Sequence, residues 1–127
     1  MRALLSIKPA FADRIFEGTK RFEFRRNIFK QQINTVIVYA SAPTSMVIGE
    51  FDVETVIFDE LDILWDTTKH YAGISRQYFY TYFEGKNKGY AISIAKARRY
   101  NNPLNLQQEY GVQPPQSFLY LLDPKSA

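Results

Sequence analysis

The stretch LLSIKPAFADRIFEGTKRFEFRR, Leu4–Arg26, predicts a strand, a short helix and a second strand in quick succession. Its apolar beginning ends at Pro9, the following apolar residues have helical spacing, and Gly18 can adopt the left-handed conformation that ends a helix. The next residues alternate, with Phe22 and Phe24 on one face, as in a half-buried strand. The chain therefore turns sharply twice before its second strand.

The polar face of this second strand carries Glu23 and Arg25, and Lys20 precedes it. Alternating charges are typical of any solvent-exposed strand, where an ion pair contributes roughly 0–1 kcal/mol. Alternatively, the ammonium, the carboxylate and the guanidinium converge on one small polar ligand. Periodicity alone favours the exposed strand.

The rest of the sequence predicts one α+β domain over residues 1–122. In it, about six strands form a small mixed β-barrel with inserted helices, because the chain has no regular strand-helix repeat of the kind that builds a doubly wound parallel sheet. Residues 123–127 are predicted to form a flexible tail.

Composition narrows the possible functions. The 127 residues have a net charge of +3 and a pI near 9.1, which permits a nucleic-acid partner without requiring one. There is no cysteine, which excludes disulfides, thiolate zinc sites and a cysteine nucleophile, and His70 is the one histidine. Because the chain lacks a signal sequence and a long apolar stretch, we expect a cytoplasmic protein without membrane contact. No cofactor or protein partner is predicted.

Two further patterns have ordinary structural interpretations. The carboxylates of Glu50, Asp52 and Glu54 share one strand face and could hold a divalent cation, but the chain has no other metal signature, so we predict an acidic exposed face and no metal site. In the segment SRQYFYTYFEG, four aromatic residues have the spacing of a helix packing face, namely Tyr78, Phe79, Tyr82 and Phe83. We predict that all four pack in the core and that Tyr80 is exposed.

Taken together, these features resemble an ASCH domain, a branch of the PUA-like superfamily of small β-barrels associated with RNA and modified bases. The resemblance is carried by Leu4–Arg26, which contains the family's spaced pattern of Gly18, Lys20, Glu23 and Arg25. It continues through the segments VYASAP, VIGEFDV, KGYAI and PPQSFLYL, and so covers nearly the whole chain. It implies a cleft beside the first helix, lined by the motif strand.

The resemblance implies binding more directly than catalysis. Amidohydrolases of similar fold act on N4-acetylcytidine, and another member of the family is reported as a ribonuclease. The amidohydrolases have a threonine nucleophile where this chain has Glu23, and their catalytic glutamate falls where this chain reads Gly73, Ile74 and Ser75. Two of their three catalytic groups are therefore absent, and fold similarity does not transfer the activity.

Our first hypothesis is an RNA-binding, nucleotide-binding or modified-base-binding module with a small basic cleft. Glu23 would accept hydrogen bonds from a base edge. Four cations would contact phosphate or carbonyl oxygens, namely Lys8, Lys20, Arg25 and Arg26. Three serine hydroxyl groups would add further contacts, namely Ser41, Ser75 and Ser117. The alternative is a hydrolase of N4-acetylcytidine-type nucleosides or of RNA, with Lys20 and Glu23 as catalytic residues. A third hypothesis is a DNA-binding transcriptional regulator, although no helix-turn-helix pattern is present.

Overall fold

The structure is a computed structural model that describes residues 1–122. Its strands are β1 (Arg2–Ile7), β2 (Phe22–Arg25), β3 (Thr35–Ala40), β4 (Met46–Glu60), β5 (Lys88–Leu104) and β6 (Phe118–Leu121). Its helices are α1 (Pro9–Glu17), α2 (Leu61–Thr68), α3 (Arg76–Tyr82) and α4 (Leu106–Tyr110), and a 3-10 turn (Lys69–Tyr71) follows α2. The predicted flexible tail, 123–127, lies outside the described residues.

The six strands form one sheet in the order β2-β5-β4-β3-β1-β6. The β1–β3 pair is parallel and the other neighbours are antiparallel. The predicted α+β class with six strands and inserted helices is therefore confirmed. Closure into a barrel is not confirmed, because within residues 1–122 the edge strands β2 and β6 do not pair with each other. Both edge strands have only four residues, so few backbone groups are present that could form hydrogen bonds between them and close the barrel.

The open sheet is nevertheless strongly curled. In the sheet order β2 and β1 are separated by three strands, yet the Arg25 guanidinium on β2 donates a hydrogen bond of 3.0 Å to the Ser6 carbonyl on β1. Register shifts interrupt the β3–β4 ladder once and the β4–β5 ladder three times. Such irregularities bend and twist a strand pair, and here they accompany the curl that brings the motif strand opposite the end of β1.

Close packing of α1 on the sheet requires a glycine at position 49. A Cβ built there would lie 2.5 Å from the Phe16 ring and 2.6 Å from the Arg98 carbonyl oxygen. The absence of a side chain therefore allows α1 to approach β4 and β5 closely. A register shift of the β4–β5 ladder falls between Val47 and Gly49, next to this close contact.

The aromatic residues of α3 divide between two environments. Phe79 and Phe83 are fully buried with Phe24 of β2 and Leu64 of α2. The Phe24 and Phe79 ring centroids are 5.1 Å apart in an edge-to-face arrangement, which is a favoured geometry for aromatic pairs. This cluster fixes α3 against β2. Within residues 1–122 no helix has the length and apolar character needed to cross a membrane.

Candidate functional site

A pocket of about 630 Å³ opens where the end of β1, the start of α1, β2, the end of β3 and α3 come together. We call it the site pocket. Its polar lining residues are Ser6, Lys8, Lys20, Glu23, Arg25, Ser41, Ser45 and Gln116. Its apolar and aromatic lining residues are Ile7, Phe11, Phe24, Tyr39, Ala42, Ile74, Tyr78, Tyr82, Pro114 and Pro115. An apolar pocket with a few converging polar groups is the usual form of a small-ligand site.

Local backbone conformation places the motif at this pocket. Gly18 has a left-handed φ of 88° and ends α1, where its N–H bonds the Arg14 and Ile15 carbonyls. The Lys20 N–H also bonds the Arg14 carbonyl, at 3.0 Å. The turn thus delivers Lys20 to the pocket, and the alternation of β2 then directs Glu23 toward the same side.

Lys20 is a buried cation. Its side chain is 1% exposed, and its Nζ donates to the Ala72 carbonyl at 2.7 Å and lies 3.8 Å from Glu23 Oε1. The Phe24 and Phe11 rings lie 5.0 and 5.6 Å from this Nζ, within the range of a cation–π contact. Burial lowers the pKa of Lys20 to about 8, and the neighbouring Glu23 carboxylate opposes this effect only in part.

Glu23 and Arg25 form a second buried contact beside Lys20. Arg25 Nη2 donates to Glu23 Oε2 at 2.9 Å and also to the Ser6 carbonyl. Arg25 Nε is buried and has no hydrogen-bond partner among residues 1–122. The solvent-exposed interpretation, which periodicity alone favoured, is therefore wrong, because Glu23 and Arg25 are both buried.

The structure brings five of the predicted site residues to the pocket: Lys8, Lys20, Glu23, Arg25 and Ser41. Lys8 is exposed at its rim, with Nζ 5.2 Å from the centroid of the Tyr78 ring.

Three predicted residues lie elsewhere. Arg26 Nη1 donates at 2.9 Å to two carbonyls at the C-terminal end of α3, that of Tyr82, the last helical residue, and that of Glu84. The Ser75 hydroxyl caps the N-terminus of α3 by accepting from the Tyr78 N–H. Ser117 is exposed and outside the pocket lining.

Sequence reasoning missed the aromatic walls of the pocket. Tyr78 and Tyr82 are both half-buried and line the pocket, and Tyr82 also packs against the core cluster that contains Phe79 and Phe83, with its ring centroid 4.9 Å from that of Phe83. Burial raises the pKa of Tyr82 above its usual value. The sequence did contain one sign that these two residues differ from Phe79 and Phe83. A tyrosine hydroxyl needs a polar or solvated neighbour, which a phenylalanine ring does not. Tyr80, predicted to be exposed, is half-buried and donates its hydroxyl proton to Asp62.

The three carboxylates of β4 lie outside the site pocket and have partners. Arg98 bonds both Glu50 and Asp52, and the Ser93 hydroxyl donates to Glu54 at 2.8 Å. Among residues 1–122 no group of three histidine, cysteine or acidic residues is arranged to hold a metal ion.

The chemistry of the site pocket suits a planar ligand with polar edges. The Phe11 and Tyr78 rings, whose centroids are 5.1 Å apart, provide aromatic surface near the rim. Lys20 and Arg25 supply donors for carbonyl or phosphate oxygens, and the Glu23 carboxylate supplies an acceptor for an amino group.

Comparisons with known proteins support one family. The ASCH domain model matches residues 5–104. The chain is 34% identical over 124 residues to the ASCH domain-containing ribonuclease of Zymomonas mobilis, an alignment that covers 94% of this chain and 83% of that protein. The crystal structure of ASCH from Zymomonas mobilis matches with a TM-score of 0.88 and 31% sequence identity, over 95% of this chain and 87% of that one.

A second relative is much longer than this chain. Large ribosomal subunit protein uL22 of Ureaplasma parvum serovar 3 is 31% identical over 119 residues, which cover 93% of this chain. The chain spans only 38% of that protein's length.

We predict that Gly73→Ala destabilises the protein more than Gly85→Ala. Both glycines have left-handed φ values, 68° and 85°, so both substitutions cost about 1–2 kcal/mol through backbone strain. A Cβ at Gly85 has open space, whereas one at Gly73 collides with the side chain of Lys20, whose Cδ would be 2.8 Å away. Overpacking adds about 1–3 kcal/mol at Gly73. Urea unfolding measures both losses, and equal losses would contradict the tight packing around Lys20.

We also predict a pH-dependent stability difference between the wild type and Lys20→Met. Lys20 has a folded pKa near 8 and an ordinary value of 10.5, so the unfolded chain binds more protons between those values. The free energy of unfolding of the wild type should therefore rise relative to that of the variant between pH 8 and 10.5, by up to about 1.4 kcal/mol per pH unit. Below pH 8 the difference should be constant. Urea unfolding at pH 7 and at pH 9.5 checks this, and the same difference at both values would show that the ammonium is not desolvated.

Proposed function

The chain belongs to the ASCH domain family, and on that premise we propose that it binds single-stranded RNA, a nucleotide or a modified base in the site pocket. The observation that carries the proposal is the burial of Lys20, Glu23 and Arg25 at the polar end of an aromatic-walled pocket. Replacing a buried ion pair with apolar residues is often neutral or stabilising. Stability alone therefore does not account for three charged groups in this place.

The dimensions and lining of the site pocket support a base as the ligand. The volume of about 630 Å³ lies in the range of small-molecule sites. A base reaches such a pocket from a single strand or a flipped position, because its edges are paired inside a duplex. Its face would contact the rings of Phe11 and Tyr78, and its edge would meet Glu23 and Lys20. Lys8, at the rim, would contact a phosphate.

We predict that Lys20→Met weakens binding of a single-stranded RNA by about 10- to 150-fold. A hydrogen bond to a charged group contributes roughly 1.5–3 kcal/mol, which corresponds to that factor. The matched control is Lys69→Met, which removes the same charge from an exposed side chain that pairs with Asp66. Fluorescence anisotropy with labelled RNA measures the affinities, and the wild-type affinity should fall as salt concentration rises.

Two outcomes would contradict this proposal. One is equal weakening by both lysine substitutions, which would indicate a diffuse charge effect. The other is the absence of binding by the wild type at low salt to any RNA in a mixed-sequence pool. A DNA pool of the same sequences tests the hypothesis of a DNA-binding regulator, which requires tighter binding to DNA.

A second candidate function is cleavage of RNA, and the relative named as a ribonuclease in Zymomonas mobilis favours it. In the step that these residues permit, the Glu23 carboxylate takes the proton of a 2′-hydroxyl and the 2′-oxygen bonds to the adjacent phosphorus. The bond from phosphorus to the 5′-oxygen breaks, and that oxygen takes a proton from the Lys20 ammonium. The products are a cyclic 2′,3′-phosphate and a 5′-hydroxyl. A pKa near 8 suits Lys20 to donate a proton near neutral pH.

For this second function we predict that Glu23→Gln lowers the cleavage rate by about 100- to 10,000-fold, the usual contribution of a general base. The matched control is Glu54→Gln, which changes an exposed carboxylate outside the site pocket. Gel analysis of end-labelled RNA measures the rate. A 2′-deoxy strand should remain bound and uncut, and cutting of that strand at the RNA rate would exclude the proposed step.

A further inference from the structure

We propose that the stacked rings of Phe58 and Tyr90 form a second RNA-contacting surface, on which a base next to the one in the site pocket stacks. This inference rests on the proposed function and states where the bound strand continues. The two ring centroids are 4.4 Å apart and the ring planes meet at 29°. Phe58 is 52% exposed, so its ring is accessible from solvent.

Strand register connects this aromatic pair to the site pocket. Arg25 of β2 lies opposite Tyr90 of β5, and Tyr90 lies opposite Phe58 of β4. Residues directly opposite one another in a sheet point to the same face. Arg25 lines the site pocket, so the aromatic pair continues the same face of the sheet, one and two strands farther on. The register therefore places Tyr90 on the strand next to the one that carries Arg25.

The aromatic pair is not part of the core in the described region. Neither Phe58 nor Tyr90 belongs to the three buried apolar clusters formed by residues 1–122. Val56, on the same face of β4, is also exposed, at 38%. The two rings therefore stack on each other at a solvent-exposed position, which is where an aromatic side chain can stack a base.

The charges nearby favour a base as the occupant. Lys88 Nζ lies 5.6 Å from the centroid of the Phe58 ring, and Glu60 is opposite Lys88 in the ladder. The positive charge of Lys88 and the negative charge of Glu60 offset each other. The surface around the Phe58 ring therefore attracts a phosphate or another anionic group only weakly. Stacking on the ring then provides most of the binding free energy at this position. Its loss should be nearly independent of salt, unlike the loss of Lys20.

The test compares Phe58→Ala with Phe58→Tyr for binding of a mixed-sequence RNA of about six nucleotides, a length within the range that single-strand sites cover. Phe58→Ala should weaken binding by about 5- to 150-fold, the factor for loss of one stacked base. Phe58→Tyr keeps the ring and should bind like the wild type. The control is Ile63→Ala, which removes another exposed apolar side chain, on α2, and should leave the affinity unchanged.

Each other outcome overturns the inference. If the wild type binds RNA and Phe58→Ala binds it equally well, the stacking surface is wrong and the proposed function stands. If the wild type binds no RNA, the proposed function fails and the inference fails with it. Equal weakening by Phe58→Ala and Ile63→Ala would indicate a general effect on the fold. A change in self-association on gel filtration, without a change in RNA affinity, would assign this face to protein contacts.

Discussion

The Lys20 ammonium lies out of water beside the Phe11 and Phe24 rings, and a buried charge is costly unless it is paired and hydrogen-bonded. Its partners come from two parts of the chain, the Ala72 carbonyl and the Glu23 carboxylate. Glu23 in turn bonds Arg25, which bonds the carbonyl of Ser6. The end of β1, the motif strand and the turn before α3 are therefore connected through one set of polar contacts.

The aromatic residues of α3 complete this arrangement from the other side. Phe79 and Phe83 attach the helix to Phe24 on the apolar face of β2. Tyr78 and Tyr82 line the same pocket as the polar residues of the motif. One helix thus contributes both to the core and to the wall of the site, and its hydroxyl-bearing rings are the ones that contact the pocket. The pocket wall and the core are therefore formed by neighbouring residues of the same segment.

Much of this fold could be predicted from local patterns. The helix stop at Gly18 and the N-cap at Ser75 depend on residues close together in sequence, and the structure has both. The strand β2 is also present, but its burial does not alternate, because both of its faces are covered. Barrel closure could not be predicted in this way, because it depends on whether two distant edge strands meet. The positions of Tyr78 and Tyr82 in the pocket wall could not be predicted either, because helical spacing identifies a buried face without identifying what covers it.

The sequence by itself determined the α+β class, the positions of the main elements and the motif of Gly18, Lys20, Glu23 and Arg25. Only the tertiary structure decided that the motif's charges are buried, because the curl that brings Arg25 to the Ser6 carbonyl joins strands that have three other strands between them in the sheet. The tertiary structure also places Arg26 outside the pocket, because its guanidinium donates to backbone carbonyls at the C-terminal end of α3. The alternating pattern of a strand predicts which side chains share a face. The packing of distant segments decides whether that face is exposed to solvent or lines a pocket.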